Sequence, residues 1–231
     1  PRSTLFPYTT LFRSVPRPTL LLDKRTSDAH DNPVISVDAA GHIWIFSTSH
    51  GTSRPSYIHR SKRPYDIDQF EWIPATKLQA GQPVAMTNFS YFQAWHVPGQ
   101  GFQAFFTRYS YPAARTICFM SSPDGIHWSE WQRLAAIEQG HYQVSAVTAD
   151  RAGSAFNFHP QGKGLNWRSN LYYVETRDGG RTWTAGNVIS ESSGGYSDVA
   201  VLPDNTILTL YESREGLLLA RCNLEWLLGR K

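Results

Sequence analysis

Thr176-Arg177-Asp178-Gly179-Gly180-Arg181-Thr182-Trp183 closes the strand-like run NLYYVET and opens the next segment. The residue types fit a tight turn between strands. Short Thr and Asp side chains accept hydrogen bonds from backbone N–H groups of their own turn, glycine supplies positive φ, and tryptophan returns the chain to an apolar surface. Ser122-Pro123-Asp124-Gly125-Ile126-His127-Trp128 is a slightly shortened copy, and the stretch from Ser61 to Trp72 is a degenerate one. Ser122, Asp124, Gly125 and Trp128, like Thr176, Asp178, Gly180 and Trp183, are therefore read as structural residues.

The same unit recurs four times along the chain. Its first two strands read HDNPVISVDAAGHIWIFSTSH (His30–His50), YFQAWHVPGQGFQAFFTR (Tyr91–Arg108), YQVSAVTADRAGSAFNFH (Tyr142–His159) and YSDVAVLPDNTILTLYE (Tyr196–Glu212). A third strand follows each, in SYIHRS, TICFMSS, NLYYVET and LLLARCN, and a segment bearing Trp72, Trp131, Trp183 or Trp226 closes it. Four short strands per roughly 50–60 residues predict the four-stranded antiparallel blade of an all-β propeller. No helical period competes for these segments. A β-sandwich of similar strand count is the alternative, which the regular repeat disfavours. The predicted blades span 28–76, 84–134, 141–188 and 195–228, after a lead-in at 15–27. Four blades are an incomplete ring of six or seven, and open sheet edges would make the chain poorly soluble.

Composition agrees. Of 231 residues 41% are hydrophobic and 13% aromatic, with only 18% charged, which favours strands over helices and excludes disorder. The net charge of +3 comes without a Lys/Arg run, so no nucleic-acid partner is expected, although a mildly basic face suits an anionic substrate. No apolar run is long enough for membrane insertion. Cys118 and Cys222 sit in apolar strand-like runs and are expected as buried thiols. Residues 1–14 do not resemble the rest: Thr4–Ser14, TLFPYTTLFRS, resembles a translated sequencing adapter, so 1–14 are set aside as non-native.

Antiparallel pairing places the start of a first strand beside the end of the second. His30 and His50, Tyr91 and Arg108, Tyr142 and His159, and Tyr196, Asp198 and Glu212 should thus line one face. His30 differs from His42, His59, His96 and His127, which fall within strands or turns, because Asp28 and Asp31 flank it. Neighbouring carboxylates can fix an imidazole's tautomer or favour its charged form. His30, His50 and His159 lack any compact metal-ligand spacing, so neither metal nor cofactor is expected.

The turns match the S/T-x-D-x-G-x-T-W pattern of the Asp-box (BNR) repeat, and DAHDNPVISVDAAGHIWIFSTSH with SYFQAW and FFTRYS resembles BNR-4 propellers, a family that includes ulvan lyases. The resemblance covers about Asp28 to Trp183. It implies catalytic roles for His30, His50, Tyr91 and Arg108, with Tyr142 a looser candidate. In uronate β-elimination Arg108 would clamp the carboxylate, His30 and Tyr91 would form the base/acid pair in either order, and His50 would support them. His159, Arg168, Tyr196, Asp198 and Glu212 complete the expected substrate-binding set. The resemblance also implies an anionic polysaccharide or glycan substrate and a secreted or periplasmic parent protein. The stretch RYSYPAAR after Arg108 departs from the Gly-rich stretch frequent in the family, which leaves ulvan itself open.

Two other functions stay open. Gly195-Tyr196-Ser197-Asp198 and the ending LLLARCNLEWLL resemble the last blades of sialidases. There Tyr196 would be nucleophile, Glu212 its activating carboxylate, and Arg108 and Arg168 part of an incomplete arginine set. A non-catalytic carbohydrate-binding propeller is the third reading.

Overall fold

A computed structural model describes residues 18–28, 30, 33–47, 50–52, 56–87, 89–109, 114–136, 141–148, 150–158, 169–191, 195–227 and 229, with the side chains of 141–144, 169 and 224 excepted. The first sheet is β1 (Pro33–Val37), β2 (Ile43–Ser47), β3 (Tyr57–Ser61) and β4 (Phe70–Ile73), each antiparallel to the next. A hairpin of β5 (Thr76–Gln79) and β6 (Gln82–Ala85) follows. The second sheet holds β7 (Ser90–Val97), β8 (Gly101–Tyr109) and β9 (Arg115–Ser122). The two-residue β10 (His127–Trp128) leaves it to pair in parallel with β5, and β11 (Gln132–Ala135) returns to complete it. The hairpin and its parallel contact were not foreseen from the repeat.

The third sheet runs β12 (His141–Thr148), β13 (Arg151–Phe158), β14 (Ser169–Thr176) and β15 (Asn187–Ser190), again antiparallel throughout. The fourth has three described strands, β16 (Ser197–Val201), β17 (Ile207–Ser213) and β18 (Gly216–Cys222), followed by the short helix α1 (Leu224–Leu227). Trp226 lies in that helix. No helix among the described residues is long and apolar enough to cross a membrane.

The sheets stand side by side as blades. Their first strands touch in sequence: β1 meets β7, β7 meets β12, and β12 meets β16. Polar bonds tie this inner row: Ser36 Oγ accepts the His96 N–H (3.1 Å), and Gln93 Oε1 accepts from Ser145 N (2.7 Å) and Oγ (2.6 Å). Between blades lie apolar clusters. Trp44, Phe46, Phe92, Phe102, Phe106 and Trp128 fill the space between the first two sheets. Phe105, Phe119 and Ala152, with Trp183 against them, join the second to the third. Ala155, Leu171, Tyr173, Val199 and Ile207 join the third to the fourth. This alternating inside-facing pattern is what strands of large apolar residues produce between stacked sheets. Cys118 is wholly buried, and that burial pushes its thiol up to about 12.

The Asp-containing turns make the bonds their residue types require. Thr176 Oγ1 accepts the Gly180 N–H at 2.8 Å, and Asp178 accepts from Thr182 N (2.9 Å) and Oγ1 (2.6 Å). Gly180 sits at φ +89°, and a Cβ there would collide with the Phe119 ring, so the turn needs glycine twice over. In the second copy Ser122 Oγ accepts the Gly125 N–H (2.8 Å), and Asp124 Oδ1 accepts those of Ile126 and His127 (both 2.8 Å). The degenerate copy is built differently. The buried tryptophan of the first sheet is Trp44, whose Nε1–H bonds Asp38 at 2.8 Å, while Trp72 is 60% exposed.

Candidate functional site

The loops at one end of the first two sheets converge on a single carboxylate. His30 precedes β1 and His50 follows β2, so the β1–β2 pairing brings the two residues to the same end. Asp28 Oδ1 lies 2.8 Å from His30 Nδ1 and also accepts the His30 backbone N–H at 3.0 Å. Its Oδ2 lies 2.8 Å from His50 Nδ1. The two imidazoles stack, with centroids 4.6 Å apart and planes 21° from parallel. Tyr91 turns its ring edge-on to both, at 6.2 Å from His30 and 6.1 Å from His50. Tyr91 is the second residue of β7 and holds φ at +52°, uncommon outside glycine. The register of β7 on β8 shifts at this point, between Ser90 and Gln93, a bulge of the kind that re-aims a side chain.

The far side of His50 is also occupied. His50 Nε2 lies 2.9 Å from the Tyr109 hydroxyl, and Tyr109 ends β8. Arg115, the residue opposite Tyr109 on β9, places its guanidinium 5.5 Å from the Tyr109 ring. The Gly51 N–H donates to Ser90 Oγ at 3.1 Å and joins the loop after β2 to the start of β7. The His30 backbone N–H above all, then the His30 and His50 side chains, hold the Asp28 carboxyl well below the usual carboxylate range. Asp28 is thus an ionised, acceptor-only group at neutral pH. The His30 side chain is 53% exposed, against 26% for His50.

The structure therefore brings His30, His50 and Tyr91 together. Arg108 takes another direction. Its side chain shares the side of β8 that carries Phe106, and its guanidinium lies 4.4 Å over the Trp131 ring. Arg108 Nε is buried without a hydrogen-bond partner among the described residues. Its neighbour in the strand, Tyr109, is the one that reaches His50. Tyr196 and Glu212 pair on the fourth sheet: Glu212 Oε2 accepts the Tyr196 backbone N–H at 3.2 Å, and the Tyr196 ring is 63% exposed. Asp198 lines a groove of about 470 Å³ along the inner strands, with Gln93, Trp95 and Ser145 among its walls. His159 and Arg168 lie outside the described residues, as does the side chain of Tyr142.

Asp28, His30 and His50 offer three ligand atoms within 4.8 Å of one another, a spacing a metal ion can use. The two Nδ1 hydrogen bonds to separate carboxylate oxygens account for that proximity without an ion. Tyr109 and Arg115 were missed from the sequence. The signal was present in the placement of Tyr109, at the last position of a strand whose end was expected to face the site.

A family model described as "BNR repeat-containing family member" matches residues 14–217. No curated protein matches the chain in sequence. Among solved structures, a polysaccharide lyase, ulvan lyase, bound to -[GlcA(1-4)Rha3S]- superposes with a TM-score of 0.65 at 16% identity. The match covers 85% of this chain and 56% of the lyase, so the chain spans little more than half of that protein's length. A protein of unknown function from Dyadobacter fermentans gives 0.54 at 14% identity, over 84% of this chain and 60% of its own. A NanB structure gives 0.53 at 12% identity, over 81% and 29%. At these identities the likeness concerns the fold.

Proposed function

Since the chain belongs to the BNR repeat-containing family, we propose that it is the site-bearing part of a carbohydrate-active propeller that cleaves a uronate-containing polysaccharide by β-elimination. The observation that carries this reading is the Asp28-oriented pair His30 and His50 with Tyr91 against it. Elimination needs a base for the proton beside the uronate carboxylate and an acid for the departing glycosidic oxygen. The C–H electron pair becomes the new double bond, the bond to the leaving oxygen breaks, and no water is consumed.

His30 suits the base. Its Nδ1 faces Asp28, its Nε2 bonds no described residue, and half of its side chain is exposed. Tyr91 then serves as acid, with His50 in support. Arg115, whose guanidinium lies 5.5 Å from the Tyr109 ring, is the cation at this end of the sheets and the proposed carboxylate clamp, a role the sequence assigned to Arg108, which lies over Trp131 instead. A cation beside the carboxylate stabilises the enolate-like transition state. An anionic glycan substrate is supported by the solved relative that holds a glucuronate-containing chain.

The test is ultraviolet absorbance of unsaturated uronate ends on incubation with uronate polysaccharides, with a fluorogenic sialoside in parallel. A rise that His30→Gln abolishes is the expected result. Sialoside hydrolysis without that rise would favour Tyr196 and Glu212 as the reacting pair, and binding without turnover would leave a recognition module.

A further inference from the structure

We propose that Asp28 is the positioning residue of this site: its one carboxylate accepts the Nδ1–H of both His30 and His50, sets both Nε2 atoms as proton acceptors, and through His50 aligns the Tyr109 hydroxyl. The inference deepens the lyase reading and rests on it only for its activity arm.

A carboxylate has four lone-pair sites and no hydrogen to give, so a nitrogen 2.8 Å from either oxygen must bring the proton. Both Nδ1 atoms meet that condition on separate oxygens, which fixes both rings as the Nδ1–H form. In a neutral His50 the Nε2 then carries the lone pair. The Tyr109 oxygen, 2.9 Å away, is left as the donor.

The chain of groups thus runs Asp28, His50, Tyr109, with the Arg115 guanidinium 5.5 Å from the last ring. A proton that leaves Tyr109 for His50 Nε2 produces a phenolate beside a cation and an imidazolium beside a carboxylate, so each new charge has a counter-charge. His30 receives the same orientation, with its Nε2 bonded to no described residue and half of its side chain exposed. One acidic residue outside the β-strands therefore sets the two imidazoles alike but gives them different partners, one a tyrosine and one an exposed position. The stacked arrangement at 4.6 Å follows, because both rings must approach one carboxylate from the same end of the first sheet.

The decisive measurement is long-range 1H–15N correlation on the full chain labelled at histidine, above the imidazole titration range. His30→Gln and His50→Gln assign the two rings among the 8 histidines. Both are expected as Nδ1–H tautomers. Asp28→Asn offers one acceptor oxygen and one donor amide, so at least one ring must lose the Nδ1–H form. Tyr109→Phe should move the Nε2 resonance of His50 and leave His30 unchanged. A chelator should alter neither ring.

In the activity arm, Asp28→Asn should lower kcat on a uronate polymer at least about 100-fold with little change in KM. Asp28→Glu should restore part of the loss. An Nε2–H tautomer at either ring of the unsubstituted chain overturns the proposal even if Asp28→Asn does not fold. So does a folded Asp28→Asn chain with both rings unchanged, or a pattern that collapses on chelation. The expected tautomers with no turnover would overturn the lyase reading and leave the positioning role standing.

Discussion

Asp178 illustrates how much one carboxylate does in a turn of eight residues. The Thr182 side chain and backbone, then the Thr176 hydroxyl, hold its carboxyl at about 2, against an ordinary 3.8. A carboxylate lowered by folding contributes stability that is complete above its unfolded value and disappears as pH falls through the folded one. Acid unfolding of the chain should therefore steepen between about 4 and 2. Asp124 adds to the same window: burial pushes it up, but bonds from His127, Ile126 and Ser122 outweigh that and hold it at about 2. Asp178→Asn should flatten this limb in urea titrations followed across pH, and an unchanged limb would show that the turn holds its bonds equally well without charge. Asp28 differs in consequence. Its acceptors serve the imidazoles of the site as well as a turn N–H, so its replacement should register in tautomers before it registers in stability.

At the scale of elements, the repeat's tryptophans are not equivalent. Trp128, in the strand that leaves the second sheet, is 2% exposed and packs edge-on against Phe46 and Phe92. Trp72 occupies the corresponding closing segment of the first sheet yet stands 60% exposed. Its structural place is taken by Trp44, from the second strand. Trp128→Ala should cost about 3–5 kcal/mol of unfolding free energy, the range for a large aromatic lost from a core. Trp72→Ala should stay within about 1 kcal/mol. Equal losses in denaturant titrations would contradict this assignment. The same one-residue sensitivity decides the site. Arg108 and Tyr109 are adjacent in β8 and project to opposite sides, so one lies on Trp131 and the other meets His50.

For the molecule as a whole, the fourth sheet carries an apolar side that the described residues leave uncovered. Leu210, Leu217 and Leu219 are 45%, 71% and 64% exposed, and Leu210 pairs with Leu219 across β17 and β18. Exposed apolar surface of this kind on a sheet promotes association. Replacing Leu217 and Leu219 by lysine should raise the monomer fraction in size-exclusion chromatography without lowering the unfolding midpoint. A falling midpoint would mean that these residues pack in solution against something the chain itself supplies.

The repeat, the all-β blades, the structural part played by Asp124 and Asp178, and the pairing of His30 with His50 across one hairpin were legible in the amino-acid order. Those features follow from local turn chemistry and from the period of two along strands, both of which depend on neighbours a few residues away. That Asp28 bridges both imidazoles, that Tyr91 turns its ring to them, that Tyr109 rather than Arg108 touches His50, and that β10 leaves its sheet to pair with β5 were set by packing between sheets. A one-residue register or bulge, such as that between Ser90 and Gln93, re-aims a side chain, and its placement depends on contacts between chain segments far apart in sequence.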